Sequence, residues 1–365
     1  MSEANVTNVA NVTNALERFR GERVLITGDT GFKGSWLSLW LSELGADVTG
    51  YALPPDSDEG HFRLLELNER IRHVDGDVRD LDRLAALVAE VKPAFVFHLA
   101  AQALVRRSYQ DPPGTFSTNV VGSVNLLEAV RREPAVRSLI YVTSDKCYRN
   151  KEWVWGYRES DELGGSDPYS ASKAAAELAF TSYAESFFAR RPGFGAASVR
   201  AGNVIGGGDW SDSRIVPDVV RALRAGDPVV LRNPAATRPW QHVLDPLHGY
   251  LRLALALLDD PQAHAGAWNF GPDDRSVRTV DDVARLAVET WGGGRVEHRP
   301  DPNAPHEANL LQLSVDKARA RLNWRAKYDF TTAVRETLLW YRAVHEGRNP
   351  FEVSCRQIAD HVRAD

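Results

Sequence analysis

From Arg23 onward, short runs of β-branched and aliphatic residues alternate with longer stretches whose apolar positions recur at helical spacing. This is the pattern of a parallel sheet wound with helices. Val24-Leu25-Ile26-Thr27 reads as a buried strand, and the apolar residues Trp36, Leu37, Leu39, Trp40, Leu41 and Leu44 predict a helix over 35–44 that stops at Gly45. Further strands are predicted at 47–51, 71–74, 94–99, 138–143 and 196–200, with helices over 81–91, 118–132 and 170–189. After Arg200 the rhythm breaks. From Gly206-Gly207-Gly208 to Trp240 the chain is irregular and polar, with helical spacing only over 216–225. Helices over 247–258, 280–291 and 331–344 and a strand at 267–270 follow. The expected fold is α/β: a doubly wound parallel sheet with a smaller, mostly C-terminal substrate lobe. Residues 21–201, with about 241–263, are assigned to the dinucleotide domain. Residues 202–240 and 264–365 are assigned to the lobe, and 1–20 to a disordered tail.

Composition bounds the class. The chain has 365 residues, 43% hydrophobic and 25% charged, and 44 basic against 49 acidic residues give a net charge of −5. That balance argues against an electrostatic nucleic-acid binder, and no apolar stretch approaches the roughly 20 residues of a membrane span. Cys147 and Cys355 are the two cysteines, and no signal-peptide pattern precedes the first strand, so a reducing, cytoplasmic setting is expected. No histidine or cysteine spacing suggests a metal site. Ten tryptophans stand out, several beside Arg, Asp or Gly rather than inside apolar runs.

Directly after the first strand, Gly28-Asp29-Thr30-Gly31-Phe32-Lys33-Gly34 opens into the first helix. Glycines let the backbone approach a pyrophosphate, whose charge then sits on the free N–H groups at the helix start. In a strand, loop and helix context this points to dinucleotide binding rather than simple turn glycines. The second strand ends Thr49-Gly50-Tyr51-Ala52 with no carboxylate for the adenosine ribose, which leaves NAD and NADP undivided. Lys33 is expected to approach a 2′-phosphate or to face the pyrophosphate. Asp77, before Val78, is either an adenine contact or a turn aspartate.

Tyr169 and Lys173 stand four apart in a predicted helix and project from one face. A neighbouring ammonium favours the phenolate, making the pair a base that takes a proton from an alcohol. Thr143-Ser144-Asp145-Lys146 follows the fifth strand, at the carboxyl end where open α/β sheets bind ligands. Ser144 suits the steadying of a substrate alcohol, and Asp145 suits protonation of a leaving hydroxyl. The alternative is that both merely cap the next segment.

These residues resemble the extended short-chain dehydrogenase/reductase family, the NAD-dependent epimerases and dehydratases. The glycine loop and Tyr/Lys pair carry the resemblance to the family at large. His98-Leu99-Ala100-Ala101-Gln102, Thr143-Ser144-Asp145-Lys146-Cys147-Tyr148, Trp153-Val154-Trp155-Gly156-Tyr157, Arg200-Ala201-Gly202-Asn203 through Trp210 and Arg238-Pro239-Trp240-Gln241-His242 add similarity to its CDP-sugar branch.

The resemblance implies a Rossmann-type domain holding NAD through Gly28, Gly31, Phe32, Lys33, Gly34, Asp77, Val78, Leu99, Ala100, Ala101, Thr143, Tyr169 and Lys173. It implies a redox-neutral dehydration of CDP-glucose in which Tyr169 takes the C4 hydroxyl proton and Asp145 protonates the C6 hydroxyl as water leaves across C5 and C6. Lys146 stands where related dTDP-glucose dehydratases carry a glutamate, so the C5 base stays open. Asp29 stands where the CDP branch tends to carry histidine. A negative charge there is expected to weaken cofactor binding unless Lys33 or a water offsets it.

A nucleotide diphosphate needs guanidinium groups, amides and flat apolar surface. Gln102, Asn203, Trp210, Arg214, Arg232, Arg238, His242 and His306 are the candidates, with Arg238 and Asn203 foremost by resemblance. The helices over 118–132 and 170–189 resemble those of a four-helix dimer interface, which implies a homodimer or a dimer of dimers. Two competing readings remain: a nucleotide-sugar 4-epimerase, which has no need of Asp145, and a non-catalytic dinucleotide-binding protein.

Overall fold

The computed structural model describes residues 15–212, 214–273, 276–299 and 310–364. Seven strands form one parallel sheet: β1 (Arg23–Thr27), β2 (Asp47–Ala52), β3 (Arg72–Asp75), β4 (Phe95–His98), β5 (Ser138–Val142), β6 (Gly195–Arg200) and β7 (Gly266–Asn269). Their spatial order is β7-β6-β5-β4-β1-β2-β3. The order reverses between β1 and β4, and the crevice above that switch is where such sheets take ligands. The central strands β1, β4, β5 and β6 are buried on both faces, which accounts for their near-continuous apolar runs, whereas the edge strand β3 is polar and partly exposed.

Helices α1 (Phe32–Glu43), α2 (Leu81–Val91), α3 (Gly122–Arg132), α4 (Pro168–Tyr183) and α6 (Leu244–Asp259) flank the sheet, whereas α5 (Ile215–Ala225), α7 (Val280–Trp291) and α8 (Phe330–His345) pack together in the lobe, and α9 (Pro350–Arg363) follows. Asp80 caps α2 and Asp167 caps α4, each accepting a backbone N–H three residues on. Both α3 and α4 adjoin a π-helical turn, at Ser117–Val121 and Ala184–Phe188.

The structure corrects three boundaries. Leu16 and Phe19 are buried, with Phe19 packed on the Phe95 ring at 4.8 Å, so these two side chains anchor residues 15–20 to the core, and the segment is not a disordered tail. Residues 1–14 lie outside the described residues. β7 pairs in parallel with β6 and so completes the main sheet rather than the lobe. The C-terminal α9, which the sequence reading missed, packs on α1, and its His361 meets Asp245 of α6 at 3.0 Å. Only the tertiary partner reveals each of these placements.

The triple glycine is also an anchor. Trp36 Nε1 donates to the Gly207 carbonyl at 2.9 Å, and a side chain on Gly207 would lie 2.0 Å from the Trp340 ring. The irregular stretch after β6 is thereby pinned to α1 and α8, which fixes where the substrate lobe starts.

Candidate active site

The loop after β1 crosses the switch point. Gly28 has φ +79°, and a Cβ there would come within 2.6 Å of the Ala100 backbone nitrogen. A Cβ on Gly34 would lie 2.0 Å from the Gly28 carbonyl oxygen. Gly31 is the N-cap of α1 and offers no side-chain acceptor, so the first N–H groups of the helix remain for a ligand. Leu99, Ala100 and Ala101 follow β4 across the switch, with Leu99 N–H bonded to the Thr27 carbonyl. Phe32 lies against Gly206. This cradle fits a dinucleotide pyrophosphate: it is narrow, built of backbone donors and set at a helix start.

Two charges on the loop lie where the sequence did not place them. Asp29 does not face the pyrophosphate. Its carboxylate turns beneath Gly50, where a Cβ would meet it at 2.0 Å, and accepts from or shares a proton with His73 Nδ1 at 2.7 Å. The hydrogen bond to Asp29 holds the His73 pKa up, and with His73 protonated the pair is neutral. The Asp29 carboxylate is therefore engaged by His73 and not left unpaired beside the cradle. Lys33 runs inward to donate to the Tyr250 hydroxyl at 3.2 Å. Burial and the charges of Lys173 and Arg214 draw its pKa down to about 7.

Asp77 takes the turn role. It accepts the Arg79 N–H at 2.9 Å and pairs with the Arg79 guanidinium. Val78 is buried against Gly122, and its carbonyl accepts from Asn125. The Thr143 hydroxyl donates to Glu177 on α4.

On α4, Tyr169 and Lys173 are buried on one face. Burial pushes the Tyr169 phenol up to about 12, while its hydrogen bond with Ser144 and the charge of Arg214 work against that rise. Burial pulls Lys173 down to about 8, opposed by Glu177. Ser144 caps the turn Asp145–Cys147 through the Lys146 N–H and donates to Asp145 Oδ1 at 3.0 Å. The Asp145 carboxyl group is buried, and its Oδ2 has no partner among the described residues. Gly202 makes room for it, since a Cβ there would lie 2.0 Å from Oδ2. Ser144 thus caps the turn and also meets Tyr169, and Asp145 Oδ2 stays available beside them. Lys146, half-buried in the same turn, forms no ion pair among the described residues.

The substrate candidates divide. Arg214 is held by Asp209 at 2.7 Å and its charge reaches Tyr169 and Lys33, so it belongs to the site. Asn203 has φ +50° and a buried side-chain nitrogen with no partner among the described residues. Arg238 lies on the strand Thr237–Pro239, with Nη1 donating to the Thr237 carbonyl at 2.7 Å. Arg232 is exposed beyond the strand Val229–Leu231, beside Asp218. His306 lies outside the described residues.

Three candidates do not serve as expected. The Gln102 amide is taken up by Leu104 and Thr115 in its own loop. His242 is wholly buried between Trp36 and Tyr328. Trp210 packs edge-on to Tyr341 with Arg221 and Arg224 over its ring, which makes it a wedge in the lobe rather than a base-stacking platform.

Sequence reasoning missed Glu177 and Arg200, which form a buried ion pair at 2.8 Å under the catalytic helix. The available signal was a glutamate four residues past Lys173, on the inward face of an alanine-rich helix.

Comparisons with known proteins agree with this geometry. The family described as GDP-mannose 4,6 dehydratase matches residues 25–337. The chain is 45% identical over 350 residues to the CDP-glucose 4,6-dehydratase of Salmonella typhimurium, covering 95% of this chain and 98% of that one. It is 28% identical to the UDP-glucose 4-epimerase of Mycolicibacterium smegmatis over 88% of this chain and 98% of that one. Among solved structures, the UDP-glucose 4-epimerase of Thermus thermophilus in complex with NAD superposes with a TM-score of 0.72 at 26% identity, covering 88% of this chain and 99% of that one. The cradle, the Tyr/Lys pair and the matched span agree: this chain belongs to the GDP-mannose 4,6-dehydratase family of extended short-chain dehydrogenases/reductases.

Proposed function

We propose that the protein is an NAD-dependent CDP-glucose 4,6-dehydratase, converting CDP-glucose to CDP-4-dehydro-6-deoxyglucose and water. The observation that carries this reading is the buried, unpartnered Asp145 Oδ2 beside the Tyr169 and Ser144 hydroxyls. An epimerase has no use for such an acid. Similarity to the Salmonella typhimurium enzyme supports the CDP-sugar assignment.

Gly28, Gly31 and Gly34 would hold the NAD diphosphate, with Lys33, Tyr169 and Lys173 deeper in the same crevice. Bound there, NAD supplies the two-electron acceptor and donor that a redox-neutral dehydration requires. The chain's own groups then do the proton work. Tyr169, hydrogen-bonded to Ser144, takes the C4 hydroxyl proton, and the Lys173 charge favours the resulting phenolate. Asp145 in its acid form holds the C6 hydroxyl and gives it the proton with which it leaves as water, while the C5 proton passes to a base not assigned among these residues and the C5–C6 double bond forms. Arg214 and Arg238 supply positive charge for the nucleotide diphosphate, and Asn203 supplies an amide donor.

The test offers purified protein CDP-, dTDP-, GDP- and UDP-glucose with NAD and follows product mass. Loss of one water from CDP-glucose is expected, and no mass change with any donor overturns the reading.

We further infer a homodimer, or a dimer of such dimers. The helices α3 and α4 pack together, and they and their flanking turns leave Phe116, Val121, Leu178 and Phe187 exposed, Leu178 at 62%. A cluster of large apolar side chains on adjacent helices marks an association face. Leu178→Glu is expected to shift the protein to monomer in sedimentation analysis. A dimer that persists in both this variant and a Leu178→Glu/Phe187→Glu variant rules out this face.

A further inference from the structure

The catalytic residues come from two segments distant in sequence: Tyr169 and Lys173 from α4, and Ser144 and Asp145 from the turn after β5. Something must hold these segments in register. One side chain touches both supports. Glu177, one helical turn beyond Lys173 and on the same face, accepts hydrogen bonds from the Thr143 hydroxyl, from Ser198 Oγ at 2.8 Å, and from Arg200 Nε at 3.0 Å and Nη2 at 2.8 Å. Thr143 directly precedes Ser144, and Ser198 and Arg200 lie on β6. A single carboxylate thus ties the catalytic helix to the strand end that carries Asp145.

Arg200 extends the tie. Its Nη1 donates to the Tyr148 hydroxyl at 2.7 Å and to the Glu159 carbonyl at 3.1 Å, and Tyr148 donates in turn to Asn269 at 2.8 Å. Tyr148 immediately follows the Asp145–Cys147 turn, so the guanidinium grips that turn from its far side. Both members of the pair are almost wholly buried. Replacing such a pair with apolar groups of similar shape is often neutral or stabilising, so stability alone is a weak account of it.

We propose that Glu177, clamped by Arg200, is a positioning residue for the Tyr169–Lys173 pair: it sets the depth of α4 against the Asp145 turn and keeps a carboxylate beneath the lysine ammonium. This rests on the dehydratase reading above. Glu177 acts through Lys173 and not on the substrate. Its charge opposes the burial that would neutralise Lys173. The other titratable groups facing the lysine are the Cys147 thiol, which burial keeps neutral, together with Lys33 from α1 and His98 from β4.

The test compares the pH dependence of kcat for CDP-glucose dehydration in wild type, Arg200→Lys and the double variant Glu177→Gln/Arg200→Met, which removes both charges of the ion pair together. The wild type must be active, and its inactivity would fault the dehydratase reading rather than this one. In the double variant kcat is expected to fall about tenfold or more with KM nearly unchanged. Its alkaline limb is expected to move down by about one pH unit, because Lys173 then loses its charge sooner. Arg200→Lys, which keeps the carboxylate paired, is expected to retain the wild-type limb. A folded double variant whose profile superimposes on the wild type overturns the proposal, as does a shifted limb in Arg200→Lys. If the double variant does not fold, Glu177→Asp gives the readout: a lower kcat with an unmoved limb is expected, and an unchanged kcat overturns the positioning role.

Discussion

Asp145→Asn is expected to lower the rate of water loss from CDP-glucose by about two to four orders of magnitude, the usual worth of a positioned general acid. The substitution changes little else. Asp145 Oδ1 accepts from Ser144, and the amide oxygen of asparagine reproduces that bond. The other oxygen sits buried beside Gly202 with no partner among the described residues, and an amide nitrogen occupies the same volume. What is lost is the acidic proton. Substrate affinity is expected to hold within a few-fold, because Arg214, Arg238 and Asn203 are untouched, so the defect falls on kcat rather than KM. Product mass after single-turnover incubation reads it directly. Tyr169→Phe is the control: it removes the base that starts the reaction, so both C4 oxidation and water loss should fail, whereas Asp145→Asn stalls only water loss. Near wild-type dehydration by Asp145→Asn would reduce Asp145 to a hydrogen-bond partner of Ser144 and assign the proton for water loss to another group.

Much of this site is legible in the sequence because its determinants are local. The glycine loop needs only seven consecutive residues, and the Tyr169–Lys173 pair needs only one turn of helix. The sheet follows from strand and helix periodicity. The failures are all non-local. Asp29 reads as a charge facing the pyrophosphate until Gly50 opens space beneath it and His73, 44 residues away, receives it. Thr143 and Gln102 read as ligand contacts, yet Glu177 claims the one and Thr115 shares the other. His242 sits in a string of apparent binding residues but points into the core between Trp36 and Tyr328. The tryptophans divide in the same way. Trp36, Trp40, Trp268, Trp324 and Trp340 fill the core, while Trp155 is exposed. Residue type and spacing show which chemistry is available, but the partner a polar side chain finds decides whether it serves the fold or the ligand.

Stability is expected to collapse on mild acidification, by about 6 kcal/mol between pH 8 and pH 5, from three buried histidines alone. His61, His98 and His242 are each lowered to about 3 by burial. His61 sits between Ser35 and Ser354 and stacks on Trp36 at 4.3 Å, and His98 bridges Thr27 and Ser123. Hydroxyl partners suit a neutral ring, and among the described residues no carboxylate is bonded to either. In the unfolded chain each ring takes a proton near pH 6.5, while in the fold each stays neutral. Their contribution is therefore fully present above pH 6.5 and is lost as pH falls toward 3, at a limiting slope of about 4 kcal/mol per pH unit. His248 is lowered in the same sense and steepens the loss. His73 works the other way, since Asp29 raises it, but it offsets only one proton. Because domains carry only about 5–15 kcal/mol in all, a loss of this order is a large share of the total. Urea unfolding at several pH values between 8 and 5 measures the slope, which should correspond to at least two protons taken up on unfolding. His242→Asn should remove one of them. A stability that stays flat from pH 7 to 5 would show that these rings are not buried as neutral groups.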